Sequence, residues 1–197
     1  MPRVTASERE ATRTRLLEAG KTEFADRGLA GARFDEISLA AGHAKGTIYN
    51  YFPNKETLFF AIVEQWCSLL ASGFEPTAAT TARGRLLHIA ALDVEIATKD
   101  PDLARIVVQQ TPALTGADGE ALNDSVAAAL DLAAAVIGEG LATGEFEATQ
   151  PPHTLARLFF GALNSLELEA LVPHATIRLD EVEQLIDRHF IAGLEAP

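Results

Sequence analysis

A single cysteine, Cys67, excludes an intrachain disulfide and a cysteine-built zinc site. The five histidines lie far apart without metal-ligand spacing, so neither a metal nor a cofactor is expected. Strand patterning is missing as well: beyond residue 72, Val, Ile and Thr never alternate between turn dipeptides. The stretch "MPRVTASEREATRTR" offers no apolar core for a signal sequence. The most apolar run, "VAAALDLAAAVIG", is short and interrupted by Asp131, so the expectation is a cytoplasmic protein with no membrane partner. Positive charge is scarce too: 16 Lys/Arg stand against 28 Asp/Glu, for a formal net charge of −12, which at first sight argues against a nucleic-acid partner.

What is present changes that reading. A hydrophobic fraction of 48% with 22% charged residues is ordinary for a globular chain of 197 residues. The charge is unevenly spread: residues 1–60 carry nine Lys/Arg and eight Asp/Glu, the remainder seven and twenty. The acid therefore sits in the second part, and the first part is free to meet an anion.

Helix signals follow one another along the whole chain. Ser7 with Glu10 reads as a capping box, and the helix it opens carries Leu17 and Phe24 before Gly28 stops it. Gly20 inside that helix costs about 1 kcal/mol against alanine. A short helix over "FDEISLAA", Phe34–Ala41, ends at Gly42, a residue suited to a left-handed C-terminal position. "KGTIYNYF" forms a third helix, and Pro53 with Asn54 break and recap the chain so that a fourth runs from about Lys55 to Ser72. Further helices are predicted over 80–99 (stopped by Pro101), 102–110, 119–142, 152–172 and 179–193. The expected organisation is all-α, with an N-terminal helix-turn-helix unit over 1–54 and a second helical unit over 55–197.

Two helices joined by a glycine turn, the second short and polar outside, are the layout of a helix-turn-helix, whose second helix enters the DNA major groove. At about 100° per residue, Ile48 and Phe52 face inward. Gly46, Thr47 and Asn50 face outward, with Tyr49 and Tyr51 on the flanks. Asn50 can pair a donor and an acceptor with a base edge, and Tyr49 can meet a thymine methyl or a phosphate. Gly46 permits close approach, while Thr47, Tyr51 and Lys45 suit phosphates. Lys55, at a helix N-terminus whose amides favour anions, makes sense with a phosphate nearby. The plainer reading of the same residues is a solvated helix face with two half-packed tyrosines.

Residues 12–64 resemble the DNA-binding domain of the TetR family of transcriptional regulators. The motifs are Phe24 and Gly28 at the end of the first helix, "FDEI", "AAG" at the turn, "KGTIY" followed by "YF", and "NKE" opening the fourth helix. The resemblance implies about nine helices, three of them in the DNA-binding domain, with a second domain that binds a small-molecule effector and forms a homodimer. It also implies DNA contacts by Lys45, Gly46, Thr47, Tyr49, Asn50, Tyr51 and Lys55. His43, Ala44 and Arg33 depart from the family pattern; Arg33, where a Ser/Thr cap is common, can instead reach a phosphate.

Two late helices show apolar stripes at i, i+3, i+4, i+7, one through Leu158, Phe159, Ala162 and Leu166 and one through Leu185, Ile186 and Phe190. Paired across a two-fold axis they would make a four-helix dimer interface, unless part of each stripe serves its own core. An effector pocket is less legible; Trp66, His88, Gln110, Phe159 and Asn164 are its candidates, with core packing as the competing role of each. The resulting expectation is a homodimeric repressor, not an enzyme, released from a palindromic double-stranded operator by a small molecule. A small all-α enzyme or carrier, and an interaction module that has lost DNA binding, are the alternatives.

Overall fold

A computed structural model describes residues 5–74, 79–110 and 120–195, with side chains throughout except at 110 and 120–125. The described chain is helical: α1 (Ala6–Gly31), α2 (Phe34–Ala40), a 3-10 segment (Lys45–Asn50), α3 (Lys55–Gly73), α4 (Ala82–Lys99), α5 (Pro101–Gln110), α6 (Glu120–Thr143), α7 (Pro152–Leu171) and α8 (Leu179–His189). No strand occurs among the described residues, and Phe146 with Glu195 forms an isolated bridge. The chain divides into two compact units, residues 1–65 and 66–197. Within the first unit the start of α3 packs with α1.

In the first unit the capping box is Thr5 with Glu8, not Ser7 with Glu10. Thr5 Oγ1 accepts from the Glu8 N–H at 3.2 Å and Glu8 Oε2 accepts from the Thr5 N–H at 2.8 Å, which holds the Glu8 carboxyl below its ordinary value. Gly28 breaks the helix with φ 64°, leaving a last turn to Gly31. Gly20 has a packing reason: a Cβ there would lie 3.0 Å from Leu58 Cδ2 and 3.1 Å from Ile62 Cδ1. Phe24 and Phe59 meet edge to face at 5.4 Å, and Leu16, Ile37, Ile48 and Leu58 complete a fully buried core. Each fully buried side chain of this size stabilises by about 1.5–3 kcal/mol.

The second unit is built from α4 to α8 with the end of α3. Thr81 caps α4 through the Gly84 N–H, and Glu145 accepts from the Ala82 and Arg83 N–H groups at 2.8 Å each. Arg83 reaches Asp187 at 2.8 Å and Glu195 at 2.6 Å, tying the C-terminal segment to α4. Pro101 opens α5 instead of merely stopping α4. Its missing N–H is not needed at the first helical position, and Asp100 Oδ1 accepts from the Leu103 N–H at 3.1 Å. α6 contains an apolar window, Val126–Thr143, with mean hydropathy 1.6, long enough to cross a membrane by length and composition and longer than the run read from the sequence. Ala133, Ala134, Val136 and Ile137 are buried in it, and α6 packs against α7 and α4. The expected helix over 179–193 is two elements, since α8 ends at His189 and a 3-10 turn follows over Ile191–Gly193.

The apolar stripes are split in use. Phe159 and Ile186 are buried in their own chain, and the Phe190 ring packs 5.8 Å from Phe159. Phe159 and Ile186 therefore have no surface to offer a partner, contrary to their placement in an interface. Leu158 is exposed, while Ala162, Leu166, Leu185 and Phe190 are half-buried.

Candidate nucleic-acid interface

The turn before the 3-10 segment is held by its own chemistry. Gly42 takes φ 81°, the His43 N–H reaches the Ser38 carbonyl at 2.9 Å, and Ser38 Oγ donates to the Ala44 carbonyl at 2.6 Å. His43 is half-buried, and its Nε2 has no partner among the described residues, as for a turn residue packed inward. The segment that follows is tighter than the α-helix expected from "KGTIYNYF". Its facing follows the rotation argument: Ile48 and Phe52 are buried, Lys45, Gly46, Tyr49 and Asn50 exposed, Thr47 and Tyr51 intermediate.

Tyr49 is 54% exposed, yet its ring stands edge-on to Phe34 at 5.1 Å. Arg33 bonds Glu36 at 3.0 Å, and Lys45 lies 4.0 Å from the same carboxylate. The side chain of Arg33 caps nothing; its backbone N–H is taken instead by Glu23 Oε1 at 3.0 Å. Lys55 donates to the Ala30 carbonyl at 3.0 Å, joining the last turn of α1 to the first of α3. Asn54 caps α3, its Oδ1 accepting from the Thr57 N–H at 2.8 Å.

Two further cations stand beside this face without having been singled out from sequence. The Arg9 guanidinium lies 5.8 Å from the Tyr51 ring centroid, and that of Arg13 lies 5.5 Å from Phe52. Both sit on the first turns of α1, far from the glycine turn in sequence, where only folding brings them to the 3-10 segment.

Among the effector candidates, Trp66 and Phe159 are buried. His88 and Asn164 are half-buried, with the His88 ring 5.9 Å from Phe74. Gln110 lies outside the described side chains. Two acids missed from sequence are Asp93 on α4 and Glu167 on α7, both fully buried, with none of their four carboxylate oxygens partnered among the described residues. Burial pushes Asp93 up to about 7, against which the nearby Trp66 N–H pulls without closing a hydrogen bond of ordinary geometry. Burial and the Asp93 charge together push Glu167 up to about 9. A signal existed: each acid continues an apolar stripe, Leu86, Ile89, Asp93, Ile96 in one case and Phe159, Leu163, Glu167 in the other.

The description "Bacterial regulatory proteins, tetR family" matches residues 16–62, which hold this face, and "Tetracyclin repressor-like, C-terminal domain" matches 79–168. The chain belongs to the TetR family. Over 60 residues it is 45% identical to the HTH-type transcriptional repressor SCO4008 of Streptomyces coelicolor, covering 30% of this chain and 31% of that one. The HTH-type transcriptional regulator RutR of Escherichia coli is 25% identical over 149 residues, covering 74% and 69%. The chain thus spans about a third to a half of the length of the first curated relatives it matches, and about two thirds of RutR. In fold it is similar to the transcriptional regulator FadR from Bacillus subtilis in complex with stearoyl-CoA, with a TM-score of 0.77 at 19% identity over 92% of this chain and 99% of that one.

Proposed function

We propose that this TetR-family chain is a DNA-binding transcriptional regulator, a cytoplasmic homodimeric repressor that a small-molecule effector releases from a palindromic operator. The observation that carries the reading is the 3-10 segment itself: Ile48 and Phe52 anchor it while Tyr49 and Asn50 stand outward on a turn held by Ser38 and Gly42. A surface meant only for solvent has no need of a half-supported tyrosine. On this reading Tyr49 and Asn50 read base edges, and Gly46 lets the backbone approach. Thr47, Tyr51, Lys45, Arg33 and Lys55 hold phosphates, with Arg9 and Arg13 adding positive potential.

One short segment touches few base pairs, so two copies about one DNA turn apart, roughly 34–36 Å, are needed for a specific site. The exposed and half-buried positions Leu158, Ala162, Leu166, Leu185 and Phe190 are the proposed dimer contacts. Effector binding in the second unit acts through α3, which begins at Lys55 and continues past Trp66. A preference of about 1–3 kcal/mol for the released state changes operator affinity 5- to 150-fold. Selection of bound sequences from random duplexes at low salt tests the reading: an enriched palindrome is expected, and no enrichment favours an interaction module that has lost DNA binding.

A further inference from the structure

A carboxyl buried without a hydrogen-bond partner or counter-charge is destabilising, strongly so once ionised, and a well-packed apolar side chain in its place is often neutral or better. Asp93 and Glu167 both meet that description. Their exposures are 1% and 0%, none of their four oxygens has a hydrogen-bond partner, and neither takes part in an ion pair among the described residues. The two charges act on each other from different helices, α4 and α7, which pack together. Trp66 is buried and brings its indole N–H toward Asp93. Apolar neighbours on the same stripes, Ile89 and Leu163, are fully buried.

We propose that Asp93 and Glu167, with Trp66, form the recognition centre for an organic cation, an amine or quaternary ammonium on an apolar body. The inference rests on the reading of the chain as an effector-responsive regulator and names the chemical class of that effector. A cation supplies what four unpartnered oxygens lack, either N–H donors or a diffuse positive charge. The Trp66 indole beside Asp93 adds aromatic surface, and the buried apolar side chains accept the apolar body. An anionic group at the same place would face two carboxylates and is rejected. Burial raises Asp93 to about 7 and, with the Asp93 charge, Glu167 to about 9, so at neutral pH the pair keeps a proton, and a bound cation takes that proton's place.

The test is calorimetric titration of the full chain with 1-naphthylmethylamine and with (1-naphthylmethyl)trimethylammonium, against the neutral 1-naphthalenemethanol and the anionic 1-naphthoate. At least one cation is expected to bind about fivefold or more tighter than the alcohol, with naphthoate weakest. The double variant Asp93→Asn, Glu167→Gln is expected to lose that preference while keeping its affinity for the alcohol. A smaller preference in the wild type, or one that survives the double variant, overturns the proposal. If the carboxamides do not fold, the ranking of the four probes on the wild type decides alone. Duplex selection is run beside it: failure to select DNA sinks the regulator reading, whereas selected DNA with no cation preference sinks only the cation site.

Discussion

Tyr49 stands edge-on to Phe34, ring centroids 5.1 Å apart at 84°, with its hydroxyl 3.4 Å from Asp35 Oδ1. An exposed aromatic is thereby held by the opening residues of α2 before any DNA arrives, which lowers the ordering cost of contact. Tyr49→Ala and Asn50→Ala are each expected to relax base preference at particular operator positions by about 1–3 kcal/mol per base pair, read by duplex selection. Phe34→Ala leaves the outward face chemically intact but removes the support, so it should weaken selected and random duplexes unequally. Uniform weakening by Phe34→Ala would mean that Tyr49 carries no sequence information.

Lys55 is already engaged, its ammonium on the Ala30 carbonyl at 3.0 Å, but that contact uses one of three donors. Lys55→Ala is expected to weaken all duplexes alike and to lower the salt slope by about one. The loss of the link between α1 and α3 should cost about 1 kcal/mol of stability. Salt-dependent binding isotherms separate the two effects; an unchanged slope with lowered stability would make Lys55 a purely structural residue.

Much of this was legible in the sequence, for stated reasons. Ile48 and Phe52 are spaced so that only one facing buries both, and Gly42 stands where a left-handed residue is required, so the turn and its inward side follow directly. Where two signals of equal strength competed, position was lost. Thr5 with Glu8 and Ser7 with Glu10 fit the same capping pattern, and nothing local chooses between them. Pro101 fits both the end of one helix and the first position of the next, and it serves the second. Phe159 and Ile186 read as interface because a stripe does not say which neighbour it faces; the ring of Phe190 and the chain's own core took them. Asp93 and Glu167 stayed hidden because an acid on an apolar stripe reads as a flaw in the pattern until both are found buried in one unit.

Leu158 is 54% exposed, so a charge there does little to the protomer, yet it lies on the face proposed to meet a second copy. Leu158→Arg is therefore expected to yield folded monomers with unchanged helicity and no operator binding, since an unpaired charge in an apolar helix interface costs several kcal/mol. Phe159→Ala provides the contrast: it empties the protomer core and should lower stability by about 3–5 kcal/mol. Sedimentation of Leu158→Arg as a dimer would move the interface elsewhere.

The buried acids also give the protein a characteristic response to pH. An acid whose folded pKa lies above its unfolded one is protonated in the folded state while the unfolded chain has released the proton. Stability is then greatest below the unfolded value and is lost as pH rises toward the folded value. For Asp93 the window runs from its ordinary 3.8 to about 7, and for Glu167 from 4.5 to about 9. Glu167→Gln, neutral at every pH and close in shape, removes the larger part of that loss. Unfolding free energies from urea titrations at pH 5 and pH 8.5 should therefore differ more in the wild type than in the variant, by on the order of a few kcal/mol, the variant's remaining difference coming from Asp93 and the ordinary groups. Because all other titrating groups, Asp93 included, are common to the two proteins, the difference of differences isolates Glu167 and its coupling to Asp93. Glu167→Gln should thus be the more stable protein at pH 8.5 and about equal at pH 5; parallel curves would show that Glu167 titrates as an ordinary carboxylate and is compensated in a way the folded chain does not reveal.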